Sequence, residues 1–286
     1  MPWTLLLLYC VLILLASLAG GLAPIFIQLS HRRMQVAVSL VAGVMLGIGV
    51  LHLLPHALLE APGSIDLIFL WLLVGFLLMF FVERFFCFHH HEVPQDDHEH
   101  HASHGEETHE LTWGGAAIGL TLHTVIAGVA LAASVKAESG LEPVPVAAGL
   151  GTFLVIFLHK PFDSLTITTL MSVGGWSTSA KHVVNGVFAL MIPLGVLLFY
   201  LGFGHVEGGS QALGCALAFS AGTFLCVAMS DLLPELQFHR HDRVMLSAAL
   251  LLGLSVAWGI STIESGNHGH QYGPAIETNE HGHEHR

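Results

Sequence analysis

Apolar runs about as long as a bilayer is thick recur eight times along this chain, and that recurrence leaves few folds open. A membrane-spanning helix needs about 20 apolar residues. Inside lipid every backbone N–H and C=O must be paired within the chain, which leaves helices or a closed barrel. The runs cover roughly residues 4–28, 36–59, 66–88, 113–136, 145–172, 183–203, 211–236 and 242–263. They are too long for strands and predict an all-α, polytopic membrane protein of eight transmembrane helices. Composition agrees: the chain is 53% apolar and only 10% charged, with a mean hydropathy of +0.69, whereas soluble domains carry about 25% charged residues. The first run lacks a basic leader and stays apolar through Ile27, so it reads as a span and not as a cleaved signal.

Basic residues orient the spans. Arg32, Arg33, Arg84, Lys181, Arg240 and Arg243 fall on one side, while only Lys136 and Arg286 fall on the other. The positive-inside rule makes the first side cytoplasmic and puts both termini outside. The expected location is a multi-pass position in a bacterial inner membrane or a plasma membrane. The expected partners are a metal ion and the lipid bilayer, with no nucleic acid.

Two polar segments interrupt a chain that otherwise reads as one transmembrane domain over 1–286. Residues 89–112 hold His89, His90, His91, His98, His100 and His101 among acidic neighbours. This composition builds no core and associates with metal ions. The tail 264–286 repeats the theme with His268, His270, His281, His283 and His285. The loop is expected on the cytoplasmic side and the tail on the other. Most of the formal charge of −12 sits in these segments. The four cysteines, Cys10, Cys87, Cys215 and Cys226, show no CxxC spacing and read as small buried hydrophobes.

An internal repeat adds topology. Ala42-Gly43 through Pro55-His56 aligns with Ala221-Gly222 through Pro234-Glu235, and both copies carry Leu-Leu-Pro between ionisable or polar side chains. One copy lies in span two and the other in span seven. Even and odd spans run in opposite directions, so the repeat is inverted, a plan common among secondary transporters. Spans 1–3 and 6–8 would enclose spans 4 and 5 in a 3+2+3 plan.

The residues that carry chemistry sit in those enclosed spans. An ionisable group at membrane depth marks a pathway or site. His159 and Asp163 are four apart and share a helix face. Imidazole with carboxylate suits zinc, iron, manganese or a similar divalent ion. His123 can supply a third ligand, because span four is rich in Gly and Ala and lets a neighbouring helix approach closely. A purely structural His–Asp pair is the competing reading. Lys160 is either a fixed charge occupying the place of a second metal or a base that snorkels to the interface. His52 with His56, and Asp231 with Glu235, are further i,i+4 pairs that serve as pathway or secondary metal residues, or simply as solvated span ends. Pro161, Pro55 and Pro234 each free a carbonyl, those of Phe157, Leu51 and Ser230.

At these residues the chain resembles the ZIP family of divalent-metal transporters. Span four reads His123-Thr124-Val125-Ile126-Ala127-Gly128 where the family has a His-Asn-x-x-acid-Gly type motif. Span five reads His159-Lys160-Pro161-Phe162-Asp163 where the family has a His-Glu-x-Pro-His/Glu type motif. The span-seven stretch Phe219-Ser220-Ala221-Gly222-Thr223-Phe224-Leu225, with Leu232-Leu233-Pro234-Glu235, is also similar to the family. The resemblance implies transport of Zn, or of Fe, Mn or Cd, toward the cytoplasm. It also implies a moving unit of spans one, four, five and six, and a scaffold of two, three, seven and eight that carries a homodimer surface. The chain departs from the pattern at Thr124, Ala127 and Lys160. These changes leave a mononuclear site at His123, His159 and Asp163 in place of a binuclear one.

The leading expectation is therefore a zinc or other divalent-metal importer working by alternating access and not an enzyme. Its ion would leave past His52 or Asp231. Two other classes compete. An intramembrane metal-dependent hydrolase would need a general base, and no HExxH motif is present. A non-transporting metal sensor would bind tightly without flux.

Overall fold

The computed structural model describes residues 2–26, 31–86, 106–140, 147–203, 209–238 and 243–265. Among them ten α-helices and one π-turn follow one another with no strand. They are α1 Pro2–Phe26, α2 His31–Ile48, the π-turn Gly49–Leu53, α3 Leu54–Glu60, α4 Ile65–Phe86 and α5 Glu106–Ser139. Next come α6 Leu150–Val173, α7 Thr178–Ala189, α8 Met191–Phe203, α9 Gly209–Phe238 and α10 Arg243–Ser265. Eight stretches among the described residues are long and apolar enough to cross a membrane. The second runs through α2, the π-turn and α3, and the sixth through α7 and α8. The chain is an all-α, eight-span protein, as its apolar periodicity requires.

Prolines set the two breaks. Pro55 has no N–H to offer the carbonyl of Leu51, and Ser261 Oγ of α10 donates to that carbonyl at 2.7 Å instead. Just before it, the Leu54 N–H reaches back to Gly49 O, which widens the helix into the π-turn that carries His52. In the sixth span, Pro193 cannot donate to Ala189, and the helix breaks at Leu190. One boundary differs from the sequence reading. The fourth span's helix begins at Glu106, inside the stretch expected to be loop, because neither Gly nor Pro interrupts the sequence before Gly114.

The inverted repeat is visible in how the helices pack. The four most extensive pairings are span two with eight, three with seven, one with five, and four with six. Exchanging one with six, two with seven, three with eight and four with five maps this set onto itself. The correspondence holds residue by residue. A Cβ added at Gly43 would strike the carbonyl oxygen of Leu250, and one at Gly222 would strike that of Leu72. A Cβ at Gly253 would strike Leu40 O, and one at Gly75 would strike Phe219 O. Gly43 and Gly222 are equivalent in the sequence repeat, and so are Leu40 and Phe219 by the same shift. Such close crossings need glycine, since helix association in lipid rests on backbone proximity and packing.

The other two pairings repeat the relation. Gly20 of span one abuts Pro161 O of span five, and Gly195 of span six abuts Val125 O of span four. Ser17 and Ser164 share a 2.7 Å hydrogen bond where, in the other half, Gly128 packs on Ile192 O. A constant shift of 36 positions carries Val125 to Pro161, Gly128 to Ser164 and Thr124 to Lys160. The same shift carries His123 to His159. The pseudo-twofold axis therefore runs between the two histidines.

Candidate metal centre

Each site residue is placed by the backbone it rides on. Span four is lined with Ala and Gly, and Ala127, Ala130, Ala132 and Ala133 are fully buried. The closest crossing these small residues make is with span six, at Gly128, and the imidazoles of α5 and α6 reach a common centre. His123, His159 and Asp163 offer ligand atoms that all lie within 4.8 Å of one another. The histidine ring centroids are 5.4 Å apart. Phe224 of α9 stands against both, 6.2 Å from the ring of His123 and 6.4 Å from that of His159. A side chain of span seven thus faces the pair.

The protonation pattern suits ligation. His159 Nδ1 donates to Val155 O at 2.7 Å, one turn earlier on α6. That bond fixes the tautomer and leaves Nε2 with its lone pair aimed toward Asp163 Oδ2, 3.9 Å away. His159 Nε2 and both ring nitrogens of His123 are buried and find no hydrogen-bond partner among the described residues. Leaving a buried polar atom unpaired costs about 1–3 kcal/mol. One nitrogen of His123 and Nε2 of His159, beside the Asp163 carboxylate, form a donor set that a cation would satisfy. A structural His–Asp pair would place the two groups in hydrogen-bond contact, and 3.9 Å is too long for that.

Lys160 does not reach an interface. Its side chain is fully buried, and Nζ donates to Asp163 Oδ2 at 3.0 Å and to Thr124 Oγ1 at 2.5 Å. It also lies 3.8 Å from the centroid of the Phe188 ring in α7, where an ammonium is favourably placed. Thr124 Oγ1 can accept because its own proton goes to Leu120 O. The ammonium and His159 face the same oxygen, Asp163 Oδ2, at 3.0 Å and 3.9 Å.

A second cluster lies elsewhere. His52 on the π-turn, His56 on α3 and Glu138 near the end of α5 also bring ligand atoms within 4.8 Å of one another. His52 and His56 are the expected pair, but Glu138 escapes a sequence reading that ends span four at 136. The shortening hides an acid that the helix carries to the same end of the bundle.

His52 and Asp231 cannot flank one exit. Gly214, near the start of α9, packs on Ala57 O at the end of span two. Asp231 lies farther along α9, about 25 Å away at 1.5 Å per residue, toward the opposite end of the bundle. The side chains of Asp231 and Glu235, and the residues His89, His90, His91, His98, His100 and His101, lie outside the described residues.

An eight-span bundle with an inverted repeat and a His/carboxylate cluster between its central spans defines a membrane carrier for a metal cation. Residues 4–118 and 115–263 match the family described as ZIP zinc transporter, and the chain belongs to that family. It is similar to zinc transporter ZIP9-B of Xenopus laevis, with 27% identity over 86% of this chain and 91% of that protein. It is also similar to zinc transporter ZIP9 of Xenopus tropicalis, with 30% identity over 57% of this chain and 51% of that protein. Zinc transporter ZIP9 of Macaca fascicularis is 32% identical over 41% of this chain and 49% of that protein. Family membership makes the chain a multi-pass membrane transporter and sets aside the hydrolase reading.

Proposed function

We propose that the chain carries zinc through a mononuclear site formed by His123, His159 and Asp163. The observation that carries this reading is the set of buried, unpartnered ring nitrogens facing one carboxylate between spans four and five. Two neutral imidazoles and one carboxylate are a preferred zinc donor set, and the missing fourth position suits an ion that must also leave. Lys160 is the fixed charge that fills the second metal position. It balances Asp163 when the ion is absent, and its repulsion lowers the affinity for a second cation.

Alternating access then follows from the pairing of helices. Spans four and five carry the ligands, and spans one and six pack on them. Spans two, three, seven and eight form the other set, with Phe224 closing on the site. Rocking of one set against the other exposes Asp163 and the histidines to one side at a time. With both termini outside, the ion enters from the His52 end and leaves toward the Asp231 end and the cytoplasmic histidine-rich loop. Iron, manganese and cadmium compete for the same donors.

Zinc uptake into vesicles containing the purified protein tests the site. The variant His159→Ala with Asp163→Ala is expected to lose uptake while remaining folded by circular dichroism. Uptake equal to that of the unmodified protein would overturn the assignment.

A further inference from the structure

We propose that His52, His56 and Glu138 form a second divalent-metal site at one end of the bundle, separate from the mid-span site. The two lie about 22 Å apart along α5, counted from His123 to Glu138 at 1.5 Å per residue, so they cannot share an ion. The inference rests on the proposed transport function only for its role; binding stands on the local geometry.

That geometry is close to what a zinc-like ion demands. Bonds of about 2.0–2.2 Å in a tetrahedron put neighbouring donor atoms a little over 3 Å apart. His52 Nε2 and Glu138 Oε1 are 3.2 Å apart. The His56 ring meets that of His52 edge to face with centroids 4.8 Å apart, and its ligand atom completes the group. The donors come from two spans, His52 and His56 from span two and Glu138 from span four, so the site ties the two together.

The support around the cluster is of the kind that metal ligands receive. Glu138 is buried, and its second oxygen accepts the Gly149 N–H at 2.9 Å, leaving Oε1 to the site. Gly149 is held at φ +74, where a side chain is strained and a Cβ would strike Val135. Ser134 Oγ lies 3.2 Å from both Glu138 Oε1 and His52 Nε2. His52 itself is presented by the π-turn, a feature often found at functional sites. Hydrogen bonds that orient a ligating carboxylate, as Gly149 N–H and Ser134 Oγ do for Glu138, are typical of metal centres.

His52 Nε2 and Glu138 Oε1 face each other at 3.2 Å, with Ser134 Oγ beside both. A divalent ion takes the Nε2 lone pair of the neutral imidazole tautomer whose proton sits on Nδ1, while Glu138 ligates as the carboxylate. His56 is only half-buried and provides the approach from the aqueous end. The site takes a divalent ion of borderline softness, such as zinc, and holds it before passage to the mid-span donors.

Crystals of the full chain grown with zinc chloride, with anomalous differences measured at the zinc edge, locate each ion. The expected result is a peak between His52 and Glu138 as well as one between His123 and His159. His56→Ala, which removes a half-buried ligand with little folding cost, is expected to abolish or strongly weaken the first peak and leave the second. Glu138→Gln is expected to do the same. His123→Ala should remove the second peak and leave the first, so the two assignments fail separately. A mid-span peak with no density between His52 and Glu138 would overturn the proposal, as would a first peak unchanged in both His56→Ala and Glu138→Gln.

Discussion

Lys160 Nζ lies 2.5 Å from Thr124 Oγ1, and the two residues occupy equivalent positions in the two inverted halves of the protein. The pair joins spans four and five across the pseudo-twofold axis, next to the histidines that the same axis relates. One half contributes a charge, the other an uncharged hydroxyl. The third relation, Asp163 to Ala127, is equally one-sided. The histidines are symmetric, and so are the glycine crossings beside them, but the polar groups that face them are not.

That asymmetry makes Lys160 and Asp163 energetically dependent on each other. Breaking a buried ion pair by deleting one partner costs about 3–5 kcal/mol, because the other charge stays buried and unpaired. Asp163→Ala is therefore expected to lower stability by about that amount. Asp163→Ala combined with Lys160→Met, which removes both charges at similar volume, is expected to recover most of the loss. Thermal unfolding in detergent of the single and double variants closes the cycle. Additive losses in the double variant would show that the 3.0 Å contact carries no coupling.

The glycine crossings carry a matching prediction. Gly43 and Gly222 meet the carbonyls of Leu250 and Leu72 in equivalent ways. A Val at either place forces the helices apart, at a cost of about 1–3 kcal/mol for overpacking. Equal destabilisation by Gly43→Val and Gly222→Val is the expected outcome in a thermal melt. A large effect at one and none at the other would mean that the two crossings are not under the same constraint.

Much of this was legible in the sequence because lipid is an unforgiving solvent. The eight spans followed from length and apolarity, and His123, His159 and Asp163 stood out as ionisable groups where ions are costly. The Leu-Leu-Pro repeat showed that span two matches span seven. The other correspondences were not legible, because they are carried by glycines and carbonyls. Gly20 on Pro161 and Gly195 on Val125 share a geometry but no motif. The fate of Lys160 was also open, since a long cationic side chain can snorkel or stay buried depending on what faces it. Thr124 and Asp163 decide that, and their approach depends on tertiary packing. Glu138 was missed because one more helical turn carries it into the bundle end.

Ser261 is predicted to hold the π-turn in shape. Its hydroxyl is the replacement donor for the Leu51 carbonyl that Pro55 leaves open. Ser261→Ala leaves that carbonyl unpaired in an apolar setting, at a cost of about 1–3 kcal/mol. Pro55→Ala restores a backbone N–H one turn away and is expected to offset part of the loss in the double variant. Unfolding temperatures of the two single variants and the double variant check this. No change in Ser261→Ala would mean that water or another group serves the carbonyl equally well.

The last prediction concerns how many ions the mid-span site holds. The shift that carries His123 to His159 carries Ala127 to Asp163, so a carboxylate at 127 would face the histidines from the opposite side. Ala127 is fully buried beside the site. Ala127→Asp alone supplies an acid, but Lys160 can pair with it as it pairs with Asp163, and a second cation would be repelled. Lys160→Glu with Ala127→Asp removes the competing charge and adds two ligands, giving each histidine its own carboxylate. Zinc-edge anomalous diffraction is expected to show one mid-span ion in the unmodified protein and in Ala127→Asp, and two in the double variant. A single ion in the double variant would mean that the ammonium of Lys160 is not what limits the site. Two ions already present in the unmodified protein would mean that the buried charge does not occupy a metal position at all.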